Sequence, residues 1–167
     1  MADSNVGDLD LFGQAPAPRK LFISKNGIAE STLIGRYAEF MVCAYLTRMG
    51  YNVMHVDAAG YDLMIECHNR PYRIDVKATS VMRAPVCWKV RKKVSLPGRF
   101  KINGDGRRDR PVVRDDCDML ALFHLEFNTV VFYPVLAPVT VVTVPLAFVK
   151  NSGDGQASLE IAIQKLR

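Results

Sequence analysis

Two aspartates and a lysine in the stretch YDLMIECHNRPYRIDVKATS, residues 61–80, are the side chains of this sequence best placed for chemistry. Asp62 opens one run of alternating apolar residues. Asp75 and Lys77 stand two apart in another, flanked by Ile74 and Val76. Period-two alternation describes half-buried strands, and a charge inside a strand is costly unless it is paired or used. Converging carboxylates suit a hard divalent cation such as Mg²⁺ (or Mn²⁺), which takes oxygen ligands and keeps several waters. The main-chain carbonyl of Val76 is a third oxygen within reach of such an ion. A lysine beside the ion can orient or help deprotonate an attacking water and stabilise charge on a phosphate. Hydrolysis of a phosphodiester requires those parts.

The elements around these residues must bring them to one face. YDLMIECH and YRIDVKA flank Asn69-Arg70-Pro71, a turn signal, and read as an antiparallel hairpin. A turn centred on Asn69 and Arg70 pairs Asp62 with Lys77, Met64 with Asp75 and Glu66 with Arg73. Leu63, Ile65, Tyr72, Ile74 and Val76 then point into a core, and Asp62, Glu66, Arg73, Asp75 and Lys77 point the other way. A slip of one residue would take Asp62 off the face of Asp75 and Lys77. Upstream, Ser31 is expected to cap a helix from Thr32 to Met49, closed by Gly50. Its polar stripe (Thr32, Arg36, Cys43, Thr47) is narrow, which predicts cover on more than one side. Glu39 falls at the edge of that stripe, at a partly enclosed rim. YNVMHV reads as a short strand, and DMLALFHLE with TVVFYPV as a second hairpin. PVTVVTVPLAFVKN and ASLEIAIQKL supply a strand or loop and a short closing element. This order predicts an α/β (α+β) arrangement around a small mixed sheet.

Composition sets wider bounds. The 167 residues are 49% hydrophobic and 23% charged, as in an ordinary soluble protein, and read as a flexible tail (1–25) before a single domain (26–167). No apolar run approaches the roughly 20 residues of a membrane span, and the N-terminus lacks a secretory pattern. Cys43, Cys67, Cys87 and Cys117 form no CxxC pair, which fits reduced thiols in a cytoplasm better than zinc or a disulfide framework. The net charge is +5, and eleven of the 22 basic residues lie between Arg83 and Arg114, opposed only by Asp105 and Asp109. Within this Gly-rich segment, Arg83, Lys89, Arg91, Lys92, Lys93, Arg99, Lys101, Arg107 and Arg108 are the candidates for gripping a DNA backbone. Trp88 is read as a core anchor, with stacking on a base as the alternative. His55, His68 and His124 have no metal or triad spacing and read as surface or satisfied core positions. Glu66 and Arg73 read as a cross-strand pair.

From GRYAEFMVCAYLTRMGYNV through YDLMI to RIDVKATS, roughly residues 31–80, the chain resembles the PD-(D/E)xK nuclease superfamily. The helix glutamate tilts the likeness toward the Holliday-junction-resolvase-like branch. Tyr61 stands where the motif nominally has proline, and Asp75 fills its variable acidic position. The resemblance implies a restriction-endonuclease-like core, with Asp62 and Asp75 as metal ligands, Lys77 as the catalytic lysine and Glu39 as the helix-borne acid. It implies a Mg²⁺-dependent DNA endonuclease of recombination or repair, acting as a homodimer because two strands must be cut. Restriction and homing endonucleases share the same parts. A non-catalytic, clamp-associated DNA-binding module is the reading from another class, and the complete acidic set with its lysine argues against it. In the tail, DLDLF resembles the short motif by which bacterial proteins dock on the replicative sliding clamp. Leu9, Asp10, Leu11 and Phe12 match it, Asp8 replaces its glutamine, and the likeness implies a bacterial or phage source.

Overall fold

The computed structural model describes residues 30–56, 60–95 and 107–167, the side chains of 93–95 and 107–109 excepted. Helix α1 (Glu30–Arg48) comes first. Ser31 lies inside it and does not cap it, since the helical backbone already includes Glu30, whose carboxylate suits a helix N-terminus. The other end closes as expected. Gly50 takes φ 90°, its N–H donates to the Thr47 carbonyl, and the Tyr51 N–H donates to the Leu46 carbonyl. Glycine makes that left-handed close at little cost. Ala38, Val42 and Leu46, each four residues apart, form the buried stripe. Among the described residues α1 packs on one sheet face and leaves Phe40 63% exposed, so the expected cover on more than one side is not found among them.

Among the described residues nine strands follow: β1 (Val53–His55), β2 (Leu63–Cys67), β3 (Arg70–Thr79), β4 (Val86–Lys89), β5 (Arg91–Ser95), β6 (Arg107–Pro111), β7 (Met119–His124), β8 (Thr129–Pro134) and β9 (Val141–Val144). The central sheet has the order β1-β2-β3-β7-β8, while β4 pairs with β9 and β5 with β6. Its one parallel pair is β3 with β7. Helices α2 (Leu146–Asn151) and α3 (Gln156–Leu166) end the chain. The fold is thus mixed α+β, with a central mixed sheet flanked by helices, as the element order predicts.

The β2–β3 hairpin forms, but its register differs by two residues from the expected one. Leu63 pairs with Ile74, Met64 with Arg73, Glu66 with Pro71 and Cys67 with Arg70. The turn is His68-Asn69, with φ of 55° and 57°, the left-handed pair of a two-residue hairpin loop. Pro71 is a strand residue rather than part of the turn. It lies before the β7 pairing, which begins at Ile74 opposite Met119, so its missing N–H breaks no ladder on that side. Continuing the register one step places Asp62 level with Asp75, not Lys77. A slip of two keeps every side chain on its face. The expected Glu66–Arg73 pair does not form; the Arg73 guanidinium reaches Asp118 Oδ2 at 3.1 Å and the carbonyls of Asp115 and Arg114.

Alternation sorts the sheet into two cores. Leu63, Ile65, Tyr72, Ile74 and Val76 join Met119, Ala121, Phe123, Val130 and Phe132 under α1 and α3. Leu120, Leu122 and Val131 face the other layer, built from Val86, Trp88, Val90, Val142, Val144 and Val149. Every β7 residue is therefore buried, which is why that run is apolar at successive positions. Trp88 is 2% exposed, and its indole N–H donates to the Phe123 carbonyl at 3.3 Å; its role is in the core. The basic segment opens with two strands that its charge obscures: Val86, Trp88 and Val90 point inward, and Cys87, Lys89 and Arg91 are exposed.

Candidate active site

Asp75 occupies the second face of β3, level with Leu120 of β7. It is 1% exposed, so its charge needs partners. Its Oδ1 accepts a hydrogen bond from Lys77 Nζ at 2.7 Å and lies 3.2 Å from Lys92 Nζ. Its Oδ2 is buried and has no hydrogen-bond partner among the described residues. Lys77, two residues on, returns to the same face, and its side chain is 24% exposed.

Asp62 is tied to β3 twice. Its own N–H donates to the Ile74 carbonyl at 2.9 Å, and its Oδ2 accepts from the Val76 N–H at 2.7 Å. Two residues earlier, Gly60 takes φ 129° where a Cβ would sit 3.0 Å from the Asp116 carbonyl, in the loop before β7. Burial pushes the Asp62 carboxyl up to about 6, and the charges of Asp75 and Glu39 add to this. The Val76 N–H and the Lys77 ammonium oppose the rise.

Glu39 stands beside this group, not within it. Its Oε2 receives Arg36 Nη1 at 2.9 Å and lies 3.0 Å from His55 Nε2. The His55 ring stacks on Phe40 with centroids 5.6 Å apart. His55 is thus a surface histidine with a satisfied ring nitrogen, as its spacing suggests. His55 pairs across the sheet with Leu63, which puts it on the face toward α1, a placement readable from the alternation of Val53 and His55. Glu39 reaches Asp62 through its field, as the weakest of the influences on that carboxyl. His124 is buried between Trp88 and Phe127, and His68 lies 2.8 Å from Cys67 Sγ at the hairpin turn. Cys117 is buried, and burial first, then the Asp75 charge, pushes its thiol up to about 12. It is an inert filler beside the site.

The donor set fits a hard divalent cation. A buried carboxylate oxygen without a hydrogen-bond donor calls for a cation, and Asp75 Oδ2 is such an atom. The N–H and C=O of one strand residue point to the same side, so the Val76 carbonyl faces the side from which its N–H meets Asp62. Among the described residues no three His, Cys, Asp or Glu side chains form a ready metal cage. Oxygen donors of this kind suit a hard divalent cation better than zinc. The structure thus brings Asp62, Asp75, Val76 and Lys77 together, adds Lys92, and holds Glu39 at the rim.

The expected backbone-gripping residues divide. Arg83, Lys89 and Arg91 are exposed, and Lys92 turns inward. The side chains of Lys93, Arg107 and Arg108, and all of Arg99 and Lys101, lie outside the described residues, as does the tail with Leu9, Asp10, Leu11 and Phe12. Arg110 and Arg114 are bound to Asp116 and Asp118. No helix among the described residues is long and apolar enough to cross a membrane.

No protein-family model and no curated protein matches this sequence. Among solved structures the chain is similar to the bacterial homing endonuclease I-Ssp6803I, with a TM-score of 0.60 at 16% identity, over 82% of this chain and 95% of that one. The two share a restriction-endonuclease-like fold.

Proposed function

We propose that this protein is a divalent-metal-dependent DNA endonuclease of the PD-(D/E)xK type. The observation that carries the reading is Asp75: a buried carboxylate with one oxygen on lysine and the other without a donor, level with Asp62 on the same sheet face. Asp62, Asp75 and the Val76 carbonyl would hold Mg²⁺ or Mn²⁺. When bound, the ion polarises a phosphoryl oxygen and lowers the pKa of a coordinated water. Lys77 holds Asp75 Oδ1 at 2.7 Å and presents an ammonium where an attacking water or a phosphoryl oxygen would sit. Asp62, fixed by the Val76 N–H, keeps the carboxylates at constant separation, so alignment costs little when substrate arrives. Glu39, held by Arg36 and His55, adds negative charge at the rim of the cation position. The exposed Arg83, Lys89 and Arg91 supply phosphate contacts.

Within this class, the likeness to a homing endonuclease over 95% of its length favours an enzyme that recognises a duplex sequence. The resolvase-like reading rests on Glu39, which the structure holds at the rim. Two strands must be cut in either case, and a homodimer meets that need. The test incubates the protein with Mg²⁺ and linear, nicked, four-way-branched and single-stranded DNA, beside Asp75→Ala and Lys77→Ala. Wild-type protein should cleave, and both variants should lose at least about 10³-fold in rate while still melting cooperatively, since an electrostatic contact to the transition state contributes on that order. Cleavage by both variants near the wild-type rate would end the assignment. Preference for one linear duplex selects the homing- or restriction-type reading, and preference for the branch selects the resolvase-like one.

A further inference from the structure

We propose that Lys92 is a second lysine of the site, a positioning residue that competes with the metal for Asp75 and passes to a substrate phosphate when DNA seats on the β5–β6 ribbon. This rests on the reading of Asp75 as a metal ligand. Lys92 comes from outside the central sheet, yet its side chain is only 18% exposed and its Nζ lies 3.2 Å from Asp75 Oδ1. The same oxygen already accepts from Lys77 at 2.7 Å. One ammonium neutralises a carboxylate; Asp75 has two on one oxygen and, among the described residues, no donor on the other.

The backbone that delivers Lys92 is fixed. Lys92 pairs across the ribbon with Arg110, whose Nη1 and Nη2 bind Asp116 at 2.7 and 2.6 Å. On either side, the Val90 N–H donates to the Thr140 carbonyl and the Val112 N–H to the Val139 carbonyl. Only the four-carbon stem of Lys92 is free to swing. An ammonium is a compact charge with three rotatable donors, so it can exchange a carboxylate for a phosphate oxygen without backbone movement. On Asp75 it opposes a second cation at that carboxylate. On a phosphate it returns the carboxylate's charge to the metal. Metal and DNA then bind with positive coupling, and the coupling is reciprocal.

Isothermal titration of Ca²⁺, which occupies such oxygen sites, into wild type, Lys92→Gln, Lys92→Arg and Asp75→Asn tests this, with and without a short duplex. In wild type, DNA should tighten Ca²⁺ binding by about tenfold, within the usual range of coupling between sites. Without DNA, Lys92→Gln should bind Ca²⁺ about tenfold more tightly than wild type, and DNA should tighten it by less than it does in wild type. Lys92→Arg keeps the charge and should keep the coupling. The salt dependence of DNA affinity should fall by about one log unit per log unit of salt in Lys92→Gln, as for one lost phosphate contact. Wild-type Ca²⁺ affinity and undiminished coupling in Lys92→Gln overturn the inference and leave the metal reading intact. No Ca²⁺ binding by wild type, or wild-type binding by Asp75→Asn, overturns the metal reading and the inference with it.

Discussion

At Asp62, stability and the proposed metal chemistry pull in opposite directions. Its carboxyl is held up at about 6, chiefly by burial, and must be ionised to ligate a cation. Divalent-cation affinity and cleavage should therefore rise with pH through that value. Stability has the opposite sign. The unfolded chain's aspartate titrates near 4, so the folded protein holds this proton more tightly and loses stability as pH rises from about 4 through 6. Asp62→Asn removes that penalty. Calorimetry in EDTA should show the variant melting higher than wild type at pH 7.5 and with it at pH 4. Equal gains at both values would mean that packing, not ionisation, sets the difference.

At the scale of elements, the glycines at chain reversals carry the tightest geometry. Gly155 precedes α3 with φ 82°, and a Cβ there would meet Val130 Cγ1 and the Val130 carbonyl at 2.8 Å and Phe132 Cδ2 at 3.0 Å. Gly155→Ala should cost about 2–5 kcal/mol in urea unfolding, combining a left-handed penalty of roughly 1–2 with an overpacking cost of roughly 1–3. A loss under about 1 kcal/mol would mean that α3 can lift off β8. The sequence reveals such elements unevenly, for physical reasons. Alternation assigns both faces of β2 and β3 despite the two-residue difference in register, because the side-chain period is two. The turn itself is misleading: Pro71 is a strong turn residue, while His68 and Asn69 adopt positive φ without the glycine that marks such turns. Asp62, Asp75 and Lys77 are legible because they break an apolar pattern. Lys92 is not, because its neighbours are equally basic and only tertiary contact separates it from them. His55 needs the partner on α1 to acquire meaning.

At the scale of the whole molecule, two features concern partners: the DLDLF segment, which lies outside the described residues, and the β5–β6 ribbon. If the DLDLF segment docks on a bacterial sliding clamp, a peptide of residues 5–16 should bind the purified clamp with micromolar affinity. Two buried apolar side chains contribute roughly 1.5–3 kcal/mol each, main-chain bonds add to this, and ordering the peptide offsets part of it. Leu11→Ala with Phe12→Ala in the full chain should abolish clamp binding and leave cleavage of short free DNA unchanged. Loss of cleavage without clamp would place those side chains in the protein's own core. The ribbon has a different consequence. β5 and β6 pair with each other and not with the central sheet, and their root is fastened at Val90, Arg110 and Val112. Side chains on the ribbon other than Lys92 and Arg110 can therefore be exchanged while Asp62, Asp75 and Lys77 stay where they are. Under the proposed nuclease reading, target contacts can change there without altering the chemistry.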